Sequence, residues 1–338
     1  MDIEAAHAQN IIAFDAPGAG TGFGQGTLAF AINPSGTITG VTRDTNLVRH
    51  VFLRDRKGNY TIFDAPGAGT SARLGTRAFS INAAGTITGW YDGNSGPAHG
   101  YVRTAGGTDT TGEGTFPYFS AVISNSGGVT GYYVGSDGET HGFVRTPDGT
   151  ITEFDPTGSL FTRGVAINSA GAVTGLWVEE QMSSFACHGF LRAPGGTITS
   201  FDVPGAGSDC VDSQGTFSSA LLPNGAIEGA YVDSSGVIHG FVGFPGAFTT
   251  FDVSASGTGS GQGTEPINNN PSGAITGVYS DANNLIHGFL RAKGGAITTF
   301  DAPGGVGSTQ PQGINPSGAI TGIFSDPSVV LHGFLYIP

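Results

Sequence analysis

Ala31-Ile-Asn-Pro-Ser-Gly-Thr-Ile-Thr-Gly40, followed by His50-Val-Phe52 and Tyr60-Thr-Ile-Phe-Asp64, decides the fold, because the same four parts return along the whole chain. They read as a strand ending in Ile-Asn, a Pro-Ser-Gly turn, a Thr-Ile-Thr-Gly strand, a third strand with a His-Gly-Phe core, and a fourth of the form Thr-Ile-Thr-x-Phe-Asp. The histidine marks the register: His50, His99, His141, His188, His239, His287 and His332 follow one another at intervals of 42 to 51 residues. That is the size of a propeller blade. Only His7 stands outside the series.

Each unit offers four short runs of period-two apolar residues, too few to bury both faces of its own sheet, so neighbouring units must stack. The termini decide between a ring and either an open solenoid or separate barrels. The last unit stops at Ile337-Pro338 after its third strand, whereas Asn10-Ile-Ile-Ala-Phe-Asp15 reads as a fourth strand without its first three. Pairing them removes two free sheet edges. The expectation is an all-β, seven-bladed β-propeller of four-stranded antiparallel blades, closed by the N-terminal strand. It forms one domain, 1–338, with blades at about 27–64, 76–113, 118–155, 162–202, 216–252, 264–301, and 309–338 completed by 10–15.

Composition agrees. Glycine at 59 residues and charged side chains at 12% would suggest low complexity, but 23 phenylalanines supply apolar surface for a core. A net charge of -13 with only 13 Lys plus Arg excludes an electrostatic hold on nucleic acid or anionic lipid. No apolar run approaches the length of a membrane span, so no membrane insertion is expected. Ala6-His7-Ala8 before Gln9 reads as the end of a secretory signal whose apolar part is absent. Few lysines and two cysteines fit a protein of the extracellular space or periplasm, and a monomer is expected.

Ala-Ile-Asn-Pro-Ser-Gly-Thr-Ile-Thr-Gly, His-Gly-Phe and Phe-Asp-Ala-Pro-Gly-Ala-Gly together resemble bacterial extracellular repeats of the HAF type, named for a His-Ala-Phe core, with glycine usually replacing the alanine here. The similarity runs from Ile11 to Leu335. It implies a secreted or surface-exposed β-propeller and carries no shared catalytic set.

One histidine per blade at one strand position makes a wide ring rather than a converging metal site, so no metal is expected there. Each histidine instead fixes its own hairpin, through a backbone group or a loop acid such as Asp281 for His287 or Asp326 for His332. Asp15, Asp64, Asp155, Asp202, Asp252 and Asp301 end the fourth strands before turns, where a carboxylate accepts backbone N–H groups. Calcium stays open because acidic and carbonyl oxygens crowd these loops, although no EF-hand or nonapeptide pattern occurs. Tyr91, Tyr133, Trp177, Tyr231, Tyr279 and Phe324 form an aromatic column that either packs between blades or stacks on sugars.

Departures from the repeat say more, because the scaffold does not require them. Nine residues separate the Thr-Gly glycine from the histidine in six blades, but twelve separate Gly175 from His188. The insertion in Val178-Glu-Glu-Gln-Met-Ser-Ser-Phe-Ala-Cys187 is placed in a loop on the variable face, which also receives the interblade loop with Cys210, so a Cys187–Cys210 disulfide is expected. In blade two, Asp109-Thr-Thr-Gly-Glu113 replaces the usual fourth strand, and the shortened loop to Thr115-Phe-Pro-Tyr118 leaves room for a groove. Leu28, Arg77, Phe119, Arg163, Phe217, Glu265 and Gln310 start the innermost strands, where they can rim the central channel. Arg77, Arg163, Glu265, Gln310 and Trp177 are the candidate ligand-binding residues, arginine donating fork-like bonds and Glu265 accepting them.

Two functions compete. The first is a non-catalytic module presenting its variable loops and central funnel to a glycan or surface polymer. No Gly-x-Ser-x-Gly elbow, His-Glu-x-x-His helix, phosphate loop or dinucleotide fingerprint occurs in a fitting context. The second is a secreted polysaccharide hydrolase or lyase, with Glu265, Tyr118, Glu179 and Glu180 as candidate acids or bases.

Overall fold

The computed structural model describes residues 10–107, 109–111, 118–181, 184–211, 213–305 and 307–338. All regular structure among them is β-strand, and no helix is long and apolar enough to cross a membrane. The unit that opens the repeat shows why. Strands Gly26–Ile32, Ile38–Arg43, Arg49–Arg54 and Tyr60–Phe63 follow one another as an antiparallel meander. The first turn closes because Gly36 takes φ 82°, a region open to glycine, while Asn33 Oδ1 accepts the N–H groups of Ser35 and Thr37. Gly40 has a different reason: a Cβ there would collide with the carbonyl oxygen of Leu28, so the glycine lets the first two strands approach.

Neighbouring units meet through parallel bridges from a third strand to the next first strand, as at Arg49–Gly75, Thr140–Phe161 and Ile238–Gly263. A threonine starting the first strand then accepts a backbone N–H from the residue after the preceding aspartate, as Thr76 does from Ala65 and Thr264 from Val253. Asparagine amides stitch the turns of successive units. Asn33 Nδ2 donates to Asn82 O, Asn82 Nδ2 to Ser124 O, and Asn270 Nδ2 to Asn315 O.

The core lies between stacked sheets rather than within one. Phe52, Phe190, Phe241, Phe289 and Phe334 from the third strands, with Ile38, Ile87, Ile227, Ile275 and Ile320 from the second, are the large side chains most completely buried. The threonines beside the second-strand isoleucines, Thr39, Thr88, Thr276 and Thr321, are fully buried as well, so these strands are covered on both faces by their neighbours.

The strand Asn10–Phe14 pairs antiparallel with Leu331–Ile337, in register Ile11–Tyr336 and Ala13–Phe334. Gly26 bridges Leu331 in parallel, and Asn315 Nδ2 donates to Asn33 O. The Gly175–His188 insertion departs from expectation in form: it is no loop but an extension of both strands, Val173–Gln181 and Ser184–Arg192, into a longer hairpin. Continued pairing leaves fewer open backbone groups than a loop would. In the second unit, Asp109–Thr111 is a three-residue strand pairing with Tyr101–Arg103, while the expected groove at Glu113 and Thr115 lies outside the described residues, as does His7.

Candidate functional site

The repeated histidine is held from three sides in five units, at His141, His188, His239, His287 and His332, while His50 lies opposite Thr42 instead of an aromatic. The histidine Nδ1 bonds the aspartate ending the neighbouring fourth strand: His50–Asp64 at 2.8 Å, His141–Asp155 at 2.7 Å, His188–Asp202, His239–Asp252 and His287–Asp301 at 2.9 Å. Its Nε2 faces a second acid at the second-to-third turn, as at Asp281 (3.8 Å) for His287 and Asp326 (3.7 Å) for His332. Its ring lies against the cross-strand aromatic, with centroids 4.9 Å apart for Tyr279–His287 and 5.0 Å for Phe324–His332. The loop acids are therefore correctly placed near the histidines but are the more distant partners. Meanwhile the fourth-strand aspartates, expected to cap turns, bond imidazole instead. The turn-capping belongs to the loop acids, since Asp281 Oδ1 accepts from Asn283 N and Leu285 N.

This environment holds the imidazoles in place. At His141 burial opposes the charged form, but the hydrogen bonds the ring donates to Asp155 and Asp137 outweigh it and raise the imidazole above its ordinary value. At His188 the bond to Asp202 is the largest influence and raises it too. Glu153 joins His141 and Asp155, the three offering ligand atoms within 4.8 Å of one another. The same histidine–aspartate pair recurs in other units without a third acid, which gives it a structural role independent of a cation.

The residues starting the first strands stand in equivalent registers, among them Leu28 opposite Val41, Arg77 opposite Trp90, Arg163 opposite Leu176 and Glu265 opposite Val278. No ion pair joins Arg77, Arg163 and Glu265 among the described residues. Arg77 Nη1 binds Asp92 at 2.7 Å and its guanidinium lies 3.6 Å from the Trp90 ring centroid. Arg163 covers the Tyr132 ring at 4.7 Å. Glu265 has its side chain open to water, and partial desolvation by the surrounding protein raises its carboxyl above the ordinary range. Gln310 is half-buried. Tyr118 and Phe119 lie in the strand Tyr118–Ile123, with side chains outside the described residues.

The remaining candidates sit elsewhere. Trp177 is buried against His188, with ring centroids 4.8 Å apart, and belongs to a core cluster. The other members of the aromatic column likewise pack on the histidine of their own unit. Glu179 faces His188 Nε2 at 3.7 Å, taking the loop-acid place, and Glu180 is exposed on the extended hairpin. Cys187 and Cys210 form a disulfide with a Cα–Cα distance of 5.2 Å, and Cys210 N donates to Phe185 O beside it.

A central cavity of about 350 Å³ lies at the opposite end of the first strands, beside the Pro-Ser-Gly turns. Phe79, Val122, Val165, Ser219, Ile267 and Asn268 contribute to its wall, and no ionisable side chain lines it. From sequence alone, candidate binding residues fall at the start of the first strands and none at this turn end. The signal was available in the non-repeating residues just before each turn. Glu228 was also missed: it replaces the threonine of the Thr-Ile-Thr-Gly strand, is fully buried, and burial pushes its carboxyl up to about 8 against counteracting influences of Asn269 and Arg291.

No family model matches the chain, and no curated protein matches its sequence. Solved structures share its fold. A streptogramin B lyase, 14% identical with a TM-score of 0.56, covers 97% of this chain and 98% of its own. The BP39L lectin from Burkholderia pseudomallei, 12% identical with a TM-score of 0.55, covers 94% of each chain. Puromycin hydrolase, 12% identical with a TM-score of 0.56, matches 88% of this chain, which spans 50% of that protein. At such identities the likeness establishes a β-propeller and says nothing of the chemistry.

Proposed function

We propose that this protein is a non-catalytic, seven-bladed binding module of the extracellular space or periplasm, built from HAF-type repeats, that presents its loops and central channel to a glycan. The ring reading rests on the Asn10–Phe14 strand beside Leu331–Ile337 and on the Asn315-to-Asn33 amide bond. The disulfide suits an oxidising compartment. The observation that carries the functional reading is chemical. The central cavity has no ionisable wall, while Glu179 and the described histidines of the repeat each face an acid, a base or an aromatic of their own unit. A catalytic site needs an acid and a base facing one reacting atom, and the lining of the central cavity supplies neither.

One observation favours a secreted carbohydrate-active enzyme instead: the raised, water-accessible carboxyl of Glu265, a property useful in a general acid. A glycan panel measured for binding and turnover with Glu265→Gln and Arg163→Ala separates the two. A module binds without turnover in wild type. An enzyme turns substrate over and loses that, but not binding, in Glu265→Gln.

A further inference from the structure

A second concave site lies at the junction of the first two units, on the face of the interblade loops. A pocket of about 400 Å³ is lined by Phe23, Gly24, Arg43, Leu47, Arg49 and Arg73. Three guanidinium groups share it in a chain that carries only 13 Lys plus Arg against 26 Asp plus Glu. No carboxylate among the described residues pairs with any of the three, since the adjoining Asp92 is engaged by Arg77 and Asp44 Oδ1 caps its own turn. Arg43 Nη1 donates to Gly24 O at 3.1 Å, but Arg43 Nε and Arg49 Nη1 are buried without a hydrogen-bond partner. Orphan nitrogens of this kind also occur at Arg54, Arg192 and Arg291, so what sets this place apart is that three guanidinium groups line one pocket.

The scaffold does not account for these charges. Ala98, Ile238, Ile286 and Leu331 stand where Arg49 does, and Val232, Ser280 and Ser325 where Arg43 does, in equivalent cross-strand registers. Arg73 sits on a backbone held at φ 70°, tied by its N–H to Leu47 O and by its carbonyl to Arg77 Nη2 at 3.2 Å. The loop is thus fixed with its guanidinium beside the pocket. Burial lowers Arg49 to about 10, with the neighbouring charges of Arg77, Arg43 and Arg73 adding to the effect and Asp92 opposing it, which registers the crowding of positive charge. Phe23 on the rim is 79% exposed, an unusual position for a large apolar ring.

We propose that this pocket binds the carboxylate of an acidic saccharide, a uronate unit, with Arg43, Arg49 and Arg73 on the carboxylate and Phe23 against the sugar ring. Planar guanidinium forks match a carboxylate in two-bonded geometry, and an exposed aromatic face suits the apolar side of a sugar. The inference rests on the glycan-binding reading and names its ligand class.

The test is calorimetric titration of the full chain with a galacturonate oligomer, the matching neutral galactose oligomer, sulfate and phosphate. The variants are Arg49→Leu, which installs the residue of the last unit, and Arg73→Ala on the surface. Support is preferential binding of the uronate oligomer, weakened at least about tenfold in either variant, as expected for losing one charge-assisted bonded pair, and weakened by added salt. Unchanged affinity in both folded variants overturns the site. Sulfate or phosphate binding as tightly as the uronate oligomer overturns the saccharide assignment. Neutral oligomer binding with no preference for the acid sinks this inference alone, whereas no glycan binding at all sinks the broader reading as well.

Discussion

Nδ1 of His332 lies 3.0 Å from Oδ1 of Asp15, a contact across 317 positions of sequence that repeats the geometry found within the other units. The first described strand is thereby treated as the fourth strand of the last unit, down to the side-chain pair. Phe14 completes it, buried against Phe52 in an edge-to-face contact with centroids 6.2 Å apart and covered by the Arg54 guanidinium.

Phe14→Ala is therefore expected to destabilise the whole protein by about 3–4 kcal/mol, the usual cost of emptying a buried aromatic site. Urea unfolding measures it. A local effect, with the midpoint unmoved and only the first strand exchanging its amides faster, would contradict the shared interior.

Glu228 sets a pH dependence. Below pH 4.5, its ordinary value, the carboxyl is protonated in folded and unfolded chains alike. Between 4.5 and about 8 the unfolded chain releases a proton that the fold retains, so this stabilising difference is lost as pH rises and is gone above the folded value. Glu228→Thr, which restores the repeat residue, should raise stability at pH 8 by about 1–3 kcal/mol and by much less at pH 5. His141 and His188, raised above 6.5, act in the same direction from that pH upward, so the variant flattens the decline without abolishing it.

Reducing Cys187–Cys210, which closes a loop of sequence separation 23, should cost about 3 kcal/mol through the greater freedom of the unfolded chain. Melting with and without reductant, beside Cys187→Ser, reads it. Equal melting temperatures would mean that the extended hairpin and the Cys210 N–Phe185 O bond hold the region unaided.

Gly40→Ala places a methyl group against the Leu28 carbonyl and should destabilise by about 3 kcal/mol. The same change at Gly18, where a Cβ meets nothing and only the positive φ objects, should cost less. Similar losses at both sites would remove close strand approach as the reason for the Thr-Ile-Thr-Gly glycine.

The repeat was legible because its spacing and turn chemistry are local, and Cys187 with Cys210 was legible because the insertion singled them out. The histidine partners were half legible. His287 is six residues from Asp281 but fourteen from Asp301, and only the packing of the fourth strand on the third brings the more distant acid nearer. Arg43, Arg49 and Arg73 come from two strands and a loop, so no window of sequence contains the pocket, although arginine in the place of Ile238 and Leu331 was a readable departure. Glu228 was readable in the same way, as the carboxylate standing where the repeat has Thr39 or Thr276.

The antiparallel ladder between Asn10–Phe14 and Leu331–Ile337 puts Asn10 opposite Ile337. Tension entering through these two positions therefore pulls on adjacent ends of the same ladder and opens it rung by rung, each rung resisting alone. Were the two strands parallel, all rungs would share the load at once. Mechanically this seam is a zip, whose rungs yield one at a time to force applied at Asn10 and Ile337.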